Sequence, residues 1–312
     1  MIDSVRNTVL AILNKNNYGY ISPADFNLYA KQAQIDIFED YFYSFNYQIN
    51  KENARTSGTG YADLSKQMEE VIDSFSEQVF LTQVGTANQY LLPSDYYLIN
   101  KLYYYSTLLA SGTNTAIVAN QLVDAAATFL TDGIKVGDIV VNIADKTQAN
   151  VLSIINDQTL GLSADIFPAP FGDSYAVYDS TRINEVERVN QNKIFYLTSS
   201  NITAPTTMFP AYVLDNNTVT VYPFSINGAA DIKSQYIRYP KDPKWTYFAI
   251  GAADSEPIFN PGATDYQDFE LPDSDEPMMV LKILQYAGVS IREMDVYKVA
   301  QTEQQEETTE EQ

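Results

Sequence analysis

The spacing of apolar residues changes near residue 78, and this change constrains the fold more strongly than any other feature. Before that point, apolar residues recur at helical spacing, and Ser22, Pro23 and Asp25 form a typical helix start. After it, short apolar runs alternate with turn residues, which is typical of strands. A last helical pattern covers residues 275–300. The sequence therefore predicts an α+β fold with N-terminal helices, a β-rich middle and a C-terminal helix.

Residues 106–180 differ from their surroundings in composition and in the spacing of turns. Phe129 is the only aromatic residue before Phe167, and Val, Ile, Thr, Ala, Asn and Asp are frequent. The turn signals predict several short strands, including a strand pair over residues 134–142 and a hairpin over residues 149–163. Such a series indicates a small antiparallel β-barrel or sandwich inserted into the main domain.

The predicted organisation has three parts. They are a main domain of residues 1–105 and 181–300, the inserted β-domain of residues 106–180, and an acidic tail of residues 301–312. Within the main domain, the pattern over residues 185–197 predicts a helix, and residues 211–222 predict a hairpin across Asp215 and Asn217.

The chain contains no cysteine and no histidine. This excludes disulfides, thiolate nucleophiles, histidine general bases and the usual zinc ligands. Carboxylate, Lys or Tyr chemistry and an oxygen-ligated metal remain open. Asp138, Asp145, Asp157 and Asp165 could bind a hard cation, but they lie near predicted turns, where Asp is a common turn former, and they lack EF-hand spacing. We expect a protein that is not an enzyme and has no cofactor and no metal site.

The charge balance is strongly acidic, with 19 Lys and Arg against 40 Asp and Glu and a net charge of −21. A protein that adheres to duplex DNA usually carries a basic face, so this balance argues against DNA as an adhesive ligand, although DNA could pass without binding. The first residues lack the pattern of a secretory signal, and no apolar run is long enough to span a membrane. These features predict a soluble protein made in a cytosol-like compartment.

Aromatic and acidic residues supply the candidate interface residues. The sequence holds 24 tyrosines in several clusters, and tyrosine is enriched both in protein–protein contacts and in cores, and can also stack on sugars. Tyr41, Phe42 and Phe45 could dock a neighbouring helix. The acidic tail is either a solvated end or a segment that meets a basic patch on another subunit. Its candidate residues are Glu303, Glu306, Glu307, Glu310 and Glu311.

Several loose motifs, spread over most of the chain, together resemble a known family. They are Phe26 to Gln34, Tyr90 to Tyr97, Thr218 to Pro223, Tyr236 to Pro240 and the closing helix from Leu271. In their order they resemble the head-to-tail connector proteins (adaptor or neck ring) of short-tailed bacteriophages. The segment from Phe129 to Val140 is similar to small β-domains of many phage virion proteins. The cysteine-free, Asn- and Tyr-rich composition resembles proteins of crAss-like phages of gut Bacteroidales.

The resemblance implies a structural virion protein that forms a ring, commonly a dodecamer, in the head–tail neck. Its partners would be other copies of itself, the portal protein and other neck or tail proteins, and DNA would pass through the ring without specific binding. Two alternatives remain open from the residues themselves. One is a carbohydrate-binding or carbohydrate-cleaving tail protein with stacked tyrosines and paired acids; the other is a capsid decoration or fibre-attachment protein.

Overall fold

The computed structural model describes residues 1–15, 21–54, 63–85, 87–249, 257–291 and 302. The chain divides into two compact units, one of residues 1–75 and 239–312 and the other of residues 76–238. Helices and strands mix as the sequence predicts, so the α+β fold class is confirmed. The predicted domain boundaries at residues 105/106, 180/181 and 300/301 stay predictions.

The described residues form five α-helices and seventeen strands. The helices are α1 (Ile2–Lys15), α2 (Pro23–Ala54), α3 (Asp63–Ser74), α4 (Gln191–Thr198) and α5 (Glu276–Ile291). The strands are β1 (Ser76–Phe80), β2 (Thr82–Gln83), β3 (Gln89–Leu91), β4 (Tyr96–Tyr105), β5 (Leu108–Thr113), β6 (Ala116–Val118), β7 (Gln121–Val123), β8 (Ile139–Asn142), β9 (Gln148–Asn156), β10 (Thr159–Leu162), β11 (Ser174–Tyr178), β12 (Ile183–Arg188), β13 (Ala211–Asp215), β14 (Thr218–Tyr222), β15 (Ile232–Arg238), β16 (Tyr247–Ala249) and β17 (Pro257–Phe259).

The unit of residues 1–75 and 239–312 contains four of these helices and the β16–β17 hairpin. Helix α2 begins as its sequence predicts, because the Ser22 hydroxyl accepts a hydrogen bond from the Asp25 amide at 3.2 Å. Helices α2 and α5 pack together, and the Tyr286 hydroxyl donates a hydrogen bond to the Asp36 carboxylate. Trp245 is buried in this unit, and its indole N–H donates to a carboxylate of α1.

The larger sheet of residues 76–238 has the order β1-β15-β4-β12-β13-β14-β3-β2. Its two outer strands, β1 and β2, are consecutive in the chain and are separated only by Leu81, whose amide donates to the Ile232 carbonyl. One nearly continuous strand therefore pairs with β15 at its start and with β3 at its end. This double pairing makes the sheet barrel-like and nearly closed.

The smaller sheet lies between β4 and β12 in the chain and closes in the same manner. Its order is β5-β11-β8-β9-β10-β7-β6, with every pairing antiparallel. The outer strands β5 and β6 are again consecutive and are separated by Asn114 and Thr115. Its apolar interior includes Phe129, Phe167 and Tyr175. The small antiparallel β-barrel predicted as an insertion is thus part of the confirmed fold class.

The two sheets share a buried junction. The Tyr105 ring of the larger sheet packs on Tyr178 of the smaller one, with centroids 5.6 Å apart, and Phe80 packs on Tyr105 at 5.2 Å. Lys233 of β15 crosses the same junction, and its Nζ donates to Gln148 Oε1 at 2.9 Å. The smaller sheet therefore packs directly against its parent sheet, in addition to its covalent connections.

Two local predictions are wrong. Residues 185–197, predicted as one helix, hold the end of β12 and then α4, because Val186 enters the sheet core. The predicted strand pair over residues 134–142 is a single strand, β8, since Gly137 adopts a left-handed φ of 100° in the turn that precedes it.

Candidate interaction surface

The predicted interface residues of α2 are partly occupied by contacts within their own unit. The Tyr41 hydroxyl donates a hydrogen bond of 2.7 Å to Asp275, and burial raises the pKa of that carboxyl. Phe42 packs edge-to-face on Phe38, with centroids 5.0 Å apart. Phe45 is half-buried. All three keep some exposed surface, and their role between subunits stays a prediction.

The acidic tail supplies the other predicted interface residues. Glu303, Glu306, Glu307, Glu310 and Glu311 lie outside the described residues.

Of the candidate aspartates of the smaller sheet, Asp145 and Asp157 lie in turns and Asp138 directly follows one. Asp138 is buried and accepts hydrogen bonds from the amides of Lys135 and Ser180 at 2.7 Å and 3.3 Å. Asp157 accepts one from the Leu130 amide at 2.9 Å. Among the residues that the structure describes, no group of three metal-ligating side chains is arranged to hold a metal ion. Within the same part of the chain, no helix is long and apolar enough to cross a lipid bilayer.

One pocket of the smaller sheet is lined by two aspartates and a tyrosine, the residue types that the carbohydrate alternative invokes. It measures about 400 Å³ and is lined by Asp124, Asp132 and Tyr175. The Tyr175 side chain is 1% exposed, so it offers no ring face to a sugar. Its hydroxyl donates to Asp124 at 2.7 Å, and burial together with this carboxylate raises its pKa, so the hydroxyl keeps its proton. Asp124 also accepts from the Ala126 amide at 2.9 Å, so these groups serve to hold the barrel together.

The larger sheet contains a feature that the sequence analysis missed. Strands β12 and β13 are neighbours and run parallel, whereas the sheet's other pairings are antiparallel. Parallel neighbours need a crossover connection that returns the chain to the same end of the sheet. Residues 189–210, which we call the crossover segment, supply it through α4 and the chain that follows.

The crossover segment presents large apolar side chains to solvent. A crossover helix usually buries its apolar side against the sheet, but Ile194 is the single buried residue of α4. Five other side chains have exposed fractions between 71% and 95%. We call them the crossover apolar residues: Phe195, Tyr196, Ile202, Met208 and Phe209. Contiguous exposed apolar patches mark interaction surfaces, and in this segment the Phe195 and Tyr196 rings contact each other with their centroids 6.0 Å apart.

Local hydrogen bonds hold this segment in a defined conformation. The Thr203 hydroxyl donates to the Leu197 carbonyl at 3.2 Å, which ties the chain after α4 back to the helix. Thr206 and Phe209 exchange backbone hydrogen bonds of 3.2 Å and 3.1 Å. The side-chain amide of Asn184 in β12 donates to the Thr207 carbonyl of the segment at 2.9 Å. The exposed side chains therefore stand on an ordered support.

A second exposed apolar set lies on α2, in the other unit. Tyr43 and Tyr47 are exposed there, near the predicted interface residues of the same helix, and Leu28 is exposed in its first turns. Each unit of the chain therefore carries apolar side chains in solvent on an ordered element.

One sequence signal could have pointed to the crossover segment. Residues 189–210 contain no Asp or Glu, and Lys193 is their only charged residue. The chain as a whole has 40 acids in 312 residues, so the segment lacks the charge that keeps the rest of the surface solvated.

No family model matches the chain, and no match was found among curated proteins.

Proposed function

We propose that this chain is a structural virion protein that assembles into a ring in the portal–tail neck of a short-tailed bacteriophage. The observation that supports this most directly is the presence of exposed apolar side chains on ordered elements of both units. A ring repeats a head-to-tail contact, so each copy needs two different contact faces. The crossover segment and the exposed side of α2 meet that requirement.

The charge of the chain fits the passage of DNA. At −21 per copy, a ring would present a negative field, and a negative channel wall repels phosphate. DNA would then slide through without adhering. The portal protein and the next tail component would be the other partners of the ring, as the resemblance to connector proteins implies.

The proposal is tested by the mass of the purified full-length chain, alone and mixed with a candidate portal protein. Light scattering or native mass spectrometry should give a ring of many copies, either in free solution or on the portal. A chain that stays monomeric in both conditions would overturn the proposal. A glycan-binding screen in parallel would then test the carbohydrate alternative.

A further inference from the structure

We infer that the crossover segment is a contact face between copies, and that its occupant is a second copy of this chain. This inference rests on the proposed function, because a ring requires copies to touch. It adds the face through which they touch, namely residues 189–210 with Phe195, Tyr196, Ile202, Met208 and Phe209 as the contacting side chains.

Charge favours a second copy as the occupant. Two copies that each carry −21 repel one another wherever their acids face, and facing like charges in a contact cost several kcal/mol. A basic partner would instead be drawn to the acidic parts of the surface. The crossover segment lacks acids, and the nearest ones along the chain are Glu187 and Asp215. The segment's own residues therefore present no carboxylate to a like-charged copy.

The exposed area has the size that such a contact needs. Phe195, Tyr196 and Phe209 are each more than 70% exposed, and with about 200 Å² per aromatic side chain they offer about 450 Å². A stable interface buries about 800 Å² on each partner. The three rings would supply about half of that area, and Ile202 and Met208 add to it.

The order of the segment lowers the cost of docking. Loops that become ordered only on binding lose conformational entropy at that moment, which weakens the contact. Here the hydrogen bonds from Thr203 to Leu197 and between Thr206 and Phe209 already fix the backbone. The apolar side chains are thus presented on a preformed surface.

The first test replaces two crossover apolar residues by serine. The double variant Ile202→Ser, Phe209→Ser removes apolar area without adding charge, and both side chains are solvent-exposed, so the fold should persist. Its matched control is Leu152→Ser, because Leu152 is 60% exposed on the smaller sheet and lies outside the segment. Sedimentation over a concentration series, with the portal protein added where assembly requires it, should show association weakened at least about 100-fold for the double variant and unchanged for the control.

The outcomes separate the two proposals. If the wild-type chain assembles and the double variant assembles equally well, the inference is overturned and the ring proposal stands. If the wild-type chain assembles into a dimer that loses its contact in the double variant, the inference stands and the ring is overturned. If the wild-type chain stays monomeric with and without the portal, both are overturned. Matching circular dichroism spectra and melting curves must accompany the comparison, and an unfolded double variant is replaced by Tyr196→Ser.

The second test identifies the occupant directly. Because the chain has no cysteine, Ile202→Cys gives a single thiol that can carry a benzophenone maleimide. Illumination of the assembled protein should give a covalent product of two copies of this chain, and mass spectrometry of its peptides locates the receiving face. The same label at Leu152→Cys should give no such product. A cross-link from position 202 to the portal protein alone would overturn the assignment to a second copy.

Discussion

Lys233 is a buried cation, and replacing it by methionine should stabilise the chain. Its side chain is 6% exposed at the junction of the two sheets, and none of the ion pairs among the described residues includes it. Its Nζ donates to the neutral Gln148 side chain at 2.9 Å and lies 5.8 Å from the centre of the Phe80 ring. Burial without a counter-charge lowers the pKa of Lys233 below its usual 10.5.

The size of the expected change in unfolding free energy follows from the groups that Lys233→Met removes and keeps. Methionine keeps most of the buried aliphatic stem and so retains about 0.8 kcal/mol for each buried methylene. It removes the several kcal/mol that burial of an ammonium costs, and it loses a charged hydrogen bond worth about 1.5–3 kcal/mol. Gln148 is exposed, so its oxygen can bind water instead. We expect a net gain of about 1–2 kcal/mol, which corresponds to roughly 2–8 °C in melting temperature for a domain of this size.

The assay is urea unfolding combined with hydrogen exchange in β4 and β15, which reports on residues 76–238 alone. The control is Lys101→Met on the neighbouring strand β4, where the lysine is half exposed and pairs with Glu185 at 3.2 Å. Its removal should change stability by at most about 0.5 kcal/mol. A loss of 1 kcal/mol or more in Lys233→Met, or equal effects of both variants, would refute the reasoning.

The pH dependence of the unfolding free energy independently checks that Lys233→Met stabilises the chain. Between the lowered pKa of Lys233 and 10.5, the unfolded chain binds more protons than the folded one, so the wild-type chain gains stability as pH rises through that window. The Lys233→Met variant lacks this gain. Its advantage should therefore be largest at neutral pH and should shrink as pH approaches 10. The buried tyrosines titrate alike in the wild-type chain and in Lys233→Met, so their effect cancels in the difference between the two unfolding free energies.

Three further substitutions should destabilise their own units. Trp245→Phe loses the bond from its indole N–H to a carboxylate of α1 and should cost about 1–3 kcal/mol in urea unfolding followed by far-UV circular dichroism. Gly228→Ala places a Cβ where the Asp231 carboxylate lies and breaks the hydrogen bond from the Gly228 amide to that carboxylate. We expect the free energy of unfolding to fall by about 1–3 kcal/mol, and an unchanged value would contradict the close approach. Tyr175→Phe leaves buried Asp124 without its hydroxyl donor and should lower the melting temperature by several degrees in calorimetry.

Elements fixed by neighbouring residues were predictable from the sequence. The helix start at Ser22 depends on a hydroxyl and an amide three residues apart, so the local pattern sufficed. The hairpin of β13 and β14 likewise depends on a short turn. In contrast, the apolar residues Ile183 and Val186 are three positions apart and indicate a helix, yet they form β12 because β4 and β13 pair with it. Such pairing joins distant residues, which periodicity does not detect.

The candidate interaction surface shows the same limit. The absence of acids from residues 189–210 is visible in the sequence, but it predicts an apolar core as readily as an exposed surface. Residues 189–210 form a crossover because β12 and β13 pair in parallel. Their apolar side chains are exposed because α4 buries only Ile194 against the rest of the unit. The clustered tyrosines drew attention to Tyr41 and Phe42, whose best-defined contacts lie within their own unit.

The closure of the two sheets also bears on how copies can associate. In many assemblies, neighbours add strands to an open sheet edge, where unpaired backbone groups accept them. Within residues 76–238, β1 and β2 lie at the two edges of one sheet and are joined through Leu81, and β5 and β6 close the other sheet in the same manner. Little edge is left for strand addition in this unit. Contacts between copies through it must therefore use side chains, and the crossover apolar residues are the largest acid-free set that it offers.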